Sequence, residues 1–175
     1  TIEWLHTKGV VGTDAAPINA VERSHIAILE CLRAHGGYVF GSKLYEYAVE
    51  YNQDTALAWL DSIAVPLPPG LEERQDMLDR SLECGNLQMA EWLLERGCGE
   101  LNRQYMFEAA DNYQIELFNW LVNRDCPYDL EALHRVCEND GLGRHDPIGA
   151  MVAKLCESHG QPAPFATSDP NLVCS

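Results

Sequence analysis

Five carboxylates recur at one place in this chain's pattern. Glu22, Glu50, Glu83, Asp111 and Glu138 each follow a pair of small or apolar residues: Ala20-Val21, Ala48-Val49, Ser81-Leu82, Ala109-Ala110 and Val136-Cys137. A row of carboxylates accepts charge-assisted hydrogen bonds from Lys and Arg, so the chemistry open to it is recognition of a basic surface. Aromatic residues adjoin the same segments, with Tyr38, Phe40, Tyr51, Tyr105 and Tyr128 preceding or following them and Asn112 beside Asp111. Tyrosine next to carboxylates is a usual contact composition. Tyr45 and Tyr47 stay ambiguous, because one of them must face a core. Acids at the end of a helix oppose its macrodipole, so helix stability does not account for them. The row is either a binding surface or a solvated trace of duplication.

Covalent chemistry has weaker candidates. His134 and Cys137 stand one helical turn apart, but a Cys/His dyad needs an orienting third group and an oxyanion site, and nothing at this spacing supplies them. There is no Gly-x-Ser-x-Gly elbow, phosphate loop, His-Glu-x-x-His or dinucleotide fingerprint, so we expect no enzyme and no cofactor. None of the seven cysteines forms a Cys-x-x-Cys pair, and His134, His145 and His159 lack ligand spacing, which argues against zinc. Cys98 and Cys126 hold the same turn position in successive phrases, where a small buried residue fits, and Cys31 and Cys156 fall in apolar helix stripes. The odd count points to reduced thiols in a cytosol-like compartment, with Cys174 left open to pairing.

Such residues need an array to bring them together, and the sequence contains one. Glu91-Trp92-Leu93-Leu94-Glu95-Arg96-Gly97-Cys98 returns as Asn119-Trp120-Leu121-Val122-Asn123-Arg124-Asp125-Cys126. Fainter copies are Glu3-Trp4-Leu5 with Gly9-Val10, Glu30-Cys31-Leu32 with Gly36-Gly37, Ala58-Trp59-Leu60, and Lys154-Leu155-Cys156 with His159-Gly160. Anchored on Leu5, Leu32, Leu60, Leu93, Leu121 and Leu155, the intervals are 27, 28, 33, 28 and 34 residues, one helical hairpin per unit. In the fourth copy Tyr105–Ala110 is a first helix, Asp111–Gln114 a turn, and Ile115–Val122 a second helix with Ile115, Phe118, Leu121 and Val122 as its buried stripe. In the third, Gly85-Asn86 turns the chain, Leu87, Met89, Ala90, Leu93 and Leu94 face inward, and Gly97 stands where a positive φ is cheapest.

Ala109-Ala110 followed by Gln114-Ile115-Glu116-Leu117, and Gly85-Asn86-Leu87-Gln88 followed by Trp92–Cys98, resemble ankyrin repeats. With Cys126-Pro127-Tyr128-Asp129, the pattern is similar to the divergent short-period ankyrin repeats of protists and giant viruses. The resemblance runs from Thr1 to Gly160. The Thr-Pro-Leu-His box is absent, its place held by Asp76-Met77-Leu78-Asp79 and Gln104-Tyr105-Met106-Phe107. Most intervals fall about five residues short of the 33-residue unit, so the projecting β-hairpin fingers are expected to be clipped. The resemblance implies an all-α, ankyrin-like solenoid of stacked helix–turn–helix repeats, a leading half-unit plus five hairpins over 1–160; the tail 161–175, with Pro162, Pro164 and Pro170, is not a repeat and is expected to form an irregular cover. Thr1 falls inside a second helix, as in a trimmed or processed chain. Two inserts, Val65-Pro66-Leu67-Pro68-Pro69-Gly70 and Gly141–Asp146, either reach out from the stack or fill gaps within it.

Charge narrows the partners. Against 27 acidic residues stand 12 basic ones, a net charge of −15, which disfavours nucleic acid and anionic membranes. No apolar run approaches the ~18 residues of a membrane span. The expected function is non-catalytic binding of another protein with a basic or neutral surface. Its contact surface is the concave, loop-edged face carrying Glu22, Tyr38, Phe40, Glu50, Tyr51, Glu83, Tyr105, Asp111, Asn112, Tyr128 and Glu138. The expected state is a cytoplasmic protein, monomeric when free. The alternatives are a structural subunit or cap of a larger assembly, and a secreted pathogen effector that binds a host regulatory protein.

Overall fold

Apolar residues recurring at helical spacing, broken by short polar turns, leave the chain no choice but helices. In the computed structural model, which describes residues 15–36, 38–139, 141–143 and 145–161, there are ten: α1 (Ala15–Glu22), α2 (Ile26–His35), α3 (Lys43–Glu50), α4 (Asp54–Ser62), α5 (Leu71–Glu83), α6 (Leu87–Glu95), α7 (Arg103–Asp111), α8 (Ile115–Val122), α9 (Leu130–Asn139) and α10 (Pro147–Ser158). Among the described residues there is no strand. The leading half-unit with Glu3-Trp4-Leu5, and the tail beyond Gln161 with Cys174, lie outside the described residues.

Two compact units divide the helices, one ending at Glu100 and the other starting at Leu101. In the first, three hairpins (α1/α2, α3/α4, α5/α6) follow one another, with α1 packed on α3, α3 on α5, and α2 on α4. In the second, α7/α8 and α9/α10 repeat the scheme, α7 against α9 and α8 against α10. Small residues make the first helices approach closely: Ala48, Ser81 and Ala109 are buried at matching positions, and the Ser81 hydroxyl is satisfied by the Leu78 carbonyl at 2.7 Å. The second helices bury Leu29, Leu32, Leu57, Leu60, Met89, Leu93, Phe118, Leu121 and Val152. In α8 the inward stripe is Leu117, Phe118 and Leu121, with Ile115 and Val122 only half-buried, so the expected stripe is rotated by two residues at its start.

One turn chemistry recurs at the helix ends. Each of the ten is followed by a residue with positive φ: Ser24, Gly36, Asn52, Ala64, Gly85, Gly97, Tyr113, Asp125, Gly141 and Gly160. After nine of them, all but Gly36, the next residue's N–H reaches back to a carbonyl in the last helical turn, as in His25 to Ala20 (2.8 Å), Gln53 to Ala48 (2.7 Å), Cys98 to Leu93 (2.9 Å) and Gln114 to Ala109 (2.8 Å). This satisfies carbonyls that a helix end leaves open. In α9 the corresponding bond runs from Leu142 to Cys137, because that helix continues one residue past Glu138.

Ala64 is poorly suited to such a position, since its φ of 55° crowds the Cβ and its methyl group can make no compensating hydrogen bond. Ala64→Gly should therefore stabilise the protein by about 0.5–1 kcal/mol after the glycine's greater unfolded-state entropy is subtracted. A thermal melt should move up by about 2 °C; an unchanged or lowered midpoint would contradict the strained geometry.

The proline insert packs down rather than reaching out. Val65 and Pro68 are buried, the Val65 carbonyl accepts the Tyr45 hydroxyl at 3.1 Å, and Arg74 Nε donates to the Pro68 carbonyl at 2.6 Å. Of the ambiguous tyrosines, Tyr45 is the core residue, at 1% exposure, and Tyr47 is half-buried.

Candidate functional site

In the first unit the turns between the two helices of each hairpin are tied side by side. Gln53 Nε2 donates to the Glu22 carbonyl at 3.0 Å, and Asn86 Nδ2 donates to Asn52 Oδ1 at 2.6 Å and Asp54 Oδ1 at 2.9 Å. These amide links bring together the ends of α1, α3 and α5, and with them Glu22, Glu50 and Glu83. Glu50 and Glu83 are exposed and Glu22 is half-buried. Glu83 pairs with Arg80 on its own helix at 3.3 Å, an open i,i+3 contact worth little by itself.

In the second unit Asp111 and Glu138 are exposed near the ends of α7 and α9. Asn112 spends its amide on the Glu108 carbonyl at 3.0 Å, capping α7. The Tyr113 hydroxyl bonds the Asp146 carboxylate, which also caps α10 by accepting from Ile148 N at 2.9 Å.

The aromatic set divides. Tyr51, 46% exposed, stands beside Glu50 and is open to contact. Tyr38 is half-buried. Phe40 lies edge-on to the Trp59 ring, centroids 5.6 Å apart, and Tyr128 lies edge-on to His159 at 5.8 Å, so both are partly engaged by the fold. Tyr105 corrects the expectation: it is 7% exposed. The reason is register, since it stands six residues before Asp111, as Leu44 stands before Glu50 and Met77 before Glu83, and all three are buried.

Between α3 and α5 the acids line a groove of about 270 Å³, and sequence reading missed most of them. Glu46 and Glu50 form one wall, Glu73, Asp76 and Arg80 the other, and the nearly fully buried Val49 and Met77 the floor. The signal was present as spacing: 46/50 is i,i+4 and 73/76/80 is i,i+3,i+7, each a single helix face. What the sequence lacks is the statement that α3 lies on α5. The second unit has a groove of about 240 Å³ between α7 and α9, lined by Arg103, Gln104, Phe107, Asp129, Ala132 and Leu133. Phe107 holds the place in α7 that Glu46 holds in α3, so the second groove is not an acidic one.

Two further side-chain pairs repeat. Arg96 lies over the Trp92 ring at 4.0 Å and Arg124 over the Trp120 ring at 4.6 Å, cation–π contacts between residues four apart, each from the turn after a second helix back to that helix's tryptophan. Arg96 also grips Asp61 through Nη2–Oδ2 at 2.6 Å and Nε–Oδ1 at 3.2 Å, which joins the end of α6 to that of α4.

The thiols are arranged for packing. Cys98, Cys126, Cys137 and Cys156 are buried, Cys31 is half-buried and Cys84 exposed. His134 contacts Cys156 Sγ through Nε2 at 3.2 Å. Burial raises the Cys156 thiol above its ordinary range and pushes Cys126 up to about 11, the opposite of what a nucleophile needs. Among the described residues no three His, Cys, Asp or Glu side chains stand close enough to hold a metal ion, and no helix is long and apolar enough to cross a membrane. No protein family, curated protein or solved structure matches the chain.

Proposed function

We propose that this protein is a non-catalytic recognition module, built as short-period ankyrin-like hairpins, that binds a partner protein of basic or neutral surface through the first helices and the turns after them. The observation that carries this reading is the bonding of successive turns, Gln53 to Glu22 and Asn86 to Asn52 and Asp54, which sets carboxylates from separate hairpins side by side while leaving Glu50 and Glu83 exposed. Repeated hairpins whose first helices pack in succession also support the ankyrin-like reading. A net charge of −15 favours a cationic partner surface and fast, salt-sensitive association.

The test is affinity capture with the 175-residue chain and with the double variant Glu50→Lys, Glu83→Lys. Both positions are exposed, so the melting curve should stay within about 0.5 kcal/mol of the parent. Capture of the specific partner should fall by about tenfold or more, because a charge facing its like is repelled. Equal capture by both proteins would remove the acidic row from the interface.

A further inference from the structure

We propose that a cleft at the ends of α8 and α10 is covered by the chain's own next segment, residues 162–165, with the Phe165 ring as its anchor. This inference goes beyond the recognition reading and stands without it. The turn bonds fix which residues correspond from hairpin to hairpin. Val65 N reaches the Leu60 carbonyl at 3.2 Å, Cys98 N that of Leu93 at 2.9 Å, Cys126 N that of Leu121 at 3.1 Å, and Gln161 N that of Cys156 at 2.9 Å. Cys156 is therefore the counterpart of Leu60, Leu93 and Leu121, which makes Leu155 the counterpart of Trp59, Trp92 and Trp120. The last hairpin lacks the indole that the three before it carry.

In the first unit this place is occupied. Arg96 lies over the Trp92 ring at 4.0 Å and bonds Asp61 at 2.6 Å, and Trp92 stacks on the buried Tyr45. In the second unit the positions of Asp61, Trp92 and Arg96 are held by Val122, Leu155 and His159, and all three line a cleft of about 540 Å³. Pro127, Tyr128 and Leu130 also line it. Pro127 is exposed, and Val122, Tyr128, Leu130 and Leu155 are half-buried, so apolar surface is left over for a further group. The volume is within the range of sites that enclose a compact apolar occupant.

The course of the chain decides which occupant. Ser158 and His159 line the cleft, Gly160 turns the backbone with φ 67°, and Phe165 follows Gln161 by four residues, a reach of about 13 Å when extended. Residues 161–166 carry no charge, which suits an apolar wall. Pro162 and Pro164 restrict the undocked segment, so docking gives up less entropy. A tether this short also gives Phe165 an effective concentration on the order of millimolar, ahead of an aromatic side chain from another molecule.

The experiment is methyl NMR on the full chain at several protein concentrations. Nuclear Overhauser contacts should join the Phe165 ring to methyl groups of Val122, Leu130 and Leu155, independently of concentration. Phe165→Ala should move those methyl signals and leave Leu29 and Leu57, in the first unit, where they were. Leu155→Trp restores the side chain that the other hairpins use and should abolish the Phe165 contacts, with the circular dichroism of the parent retained. Four results would overturn the cover: no contact from Phe165 to the cleft, contacts that survive in Leu155→Trp, contacts that grow with concentration, or saturable shifts of the cleft methyls on adding N-acetyltryptophanamide to the parent chain. The third assigns the cleft to the tail of a second copy, and the fourth leaves it open for an aromatic side chain of a partner.

Discussion

Gly149→Ala should destabilise the second unit by about 1–3 kcal/mol, although the same change inside an ordinary helix stabilises by about 1 kcal/mol. Gly149 is in the first turn of α10, and a Cβ built on it would stand 2.4 Å from the Gly143 carbonyl oxygen and 3.2 Å from that of Leu142. Both obstacles are backbone, so neither can rotate away, and the loop that carries them must lift. Lifting it disturbs the Asp146 cap, because Asp146 N is held by the same Gly143 carbonyl at 3.0 Å. Gly143→Ala is the control, since a Cβ there meets nothing within 4 Å. Urea unfolding followed by circular dichroism distinguishes the two variants. If Gly149→Ala proves neutral or stabilising, the Gly141–Asp146 insert does not press on the helix.

That insert illustrates what the sequence could and could not convey. Its glycines announce a loop, and whether it projects or packs depends on a backbone approach that no spacing encodes. By contrast, the hairpins were legible. Helical spacing placed Ile115–Val122 to the residue, and Gly97 fell past α6 with φ 67°, as turn chemistry requires. The same rule was invisible at Ser24, Ala64 and Tyr113, whose side chains do not mark a left-handed residue, whereas Asp125 was readable as the counterpart of Gly97 in the repeated phrase.

For the candidate site, the repeat phase put Glu22, Glu50 and Glu83 at equivalent helix ends, where the structure has them, and neglecting that phase put Tyr105 on the surface. Comparison with Leu44 and Met77 would have assigned it to the core. The Trp92–Arg96 and Trp120–Arg124 pairs were readable as i,i+4 neighbours. The Asp61–Arg96 pair, 35 residues apart, required the α4 and α6 ends to meet first. Glu73 and Asp76 were hidden for the same reason: a groove belongs to two helices, and its walls are separate stretches of sequence.

Tyr45 should give the protein a stability that fades between pH 10 and pH 12. Burial, and then the negative charge of Asp61, raises its phenol from 10.0 to about 12. Between these values the unfolded chain releases a proton that the folded chain retains, so folding binds protons there and stability falls as pH rises. The contribution is whole below pH 10, declines through the window by up to about 2.5 kcal/mol, and is gone above the folded value. Tyr45→Phe isolates it. At neutral pH the variant should be weaker by about 1–2 kcal/mol, because the Val65 carbonyl loses its donor. Near pH 12 the gap should close or reverse, since phenylalanine has no proton to lose. Thiol ionisation, including that of Cys126, is common to both proteins and drops out of the difference. The stacking partner Trp92, with ring centroids 6.0 Å away, remains in place in the variant and its fluorescence reports the unfolding. A gap that stays constant from neutral pH to pH 12 would mean that the Tyr45 hydroxyl reaches water in the folded state.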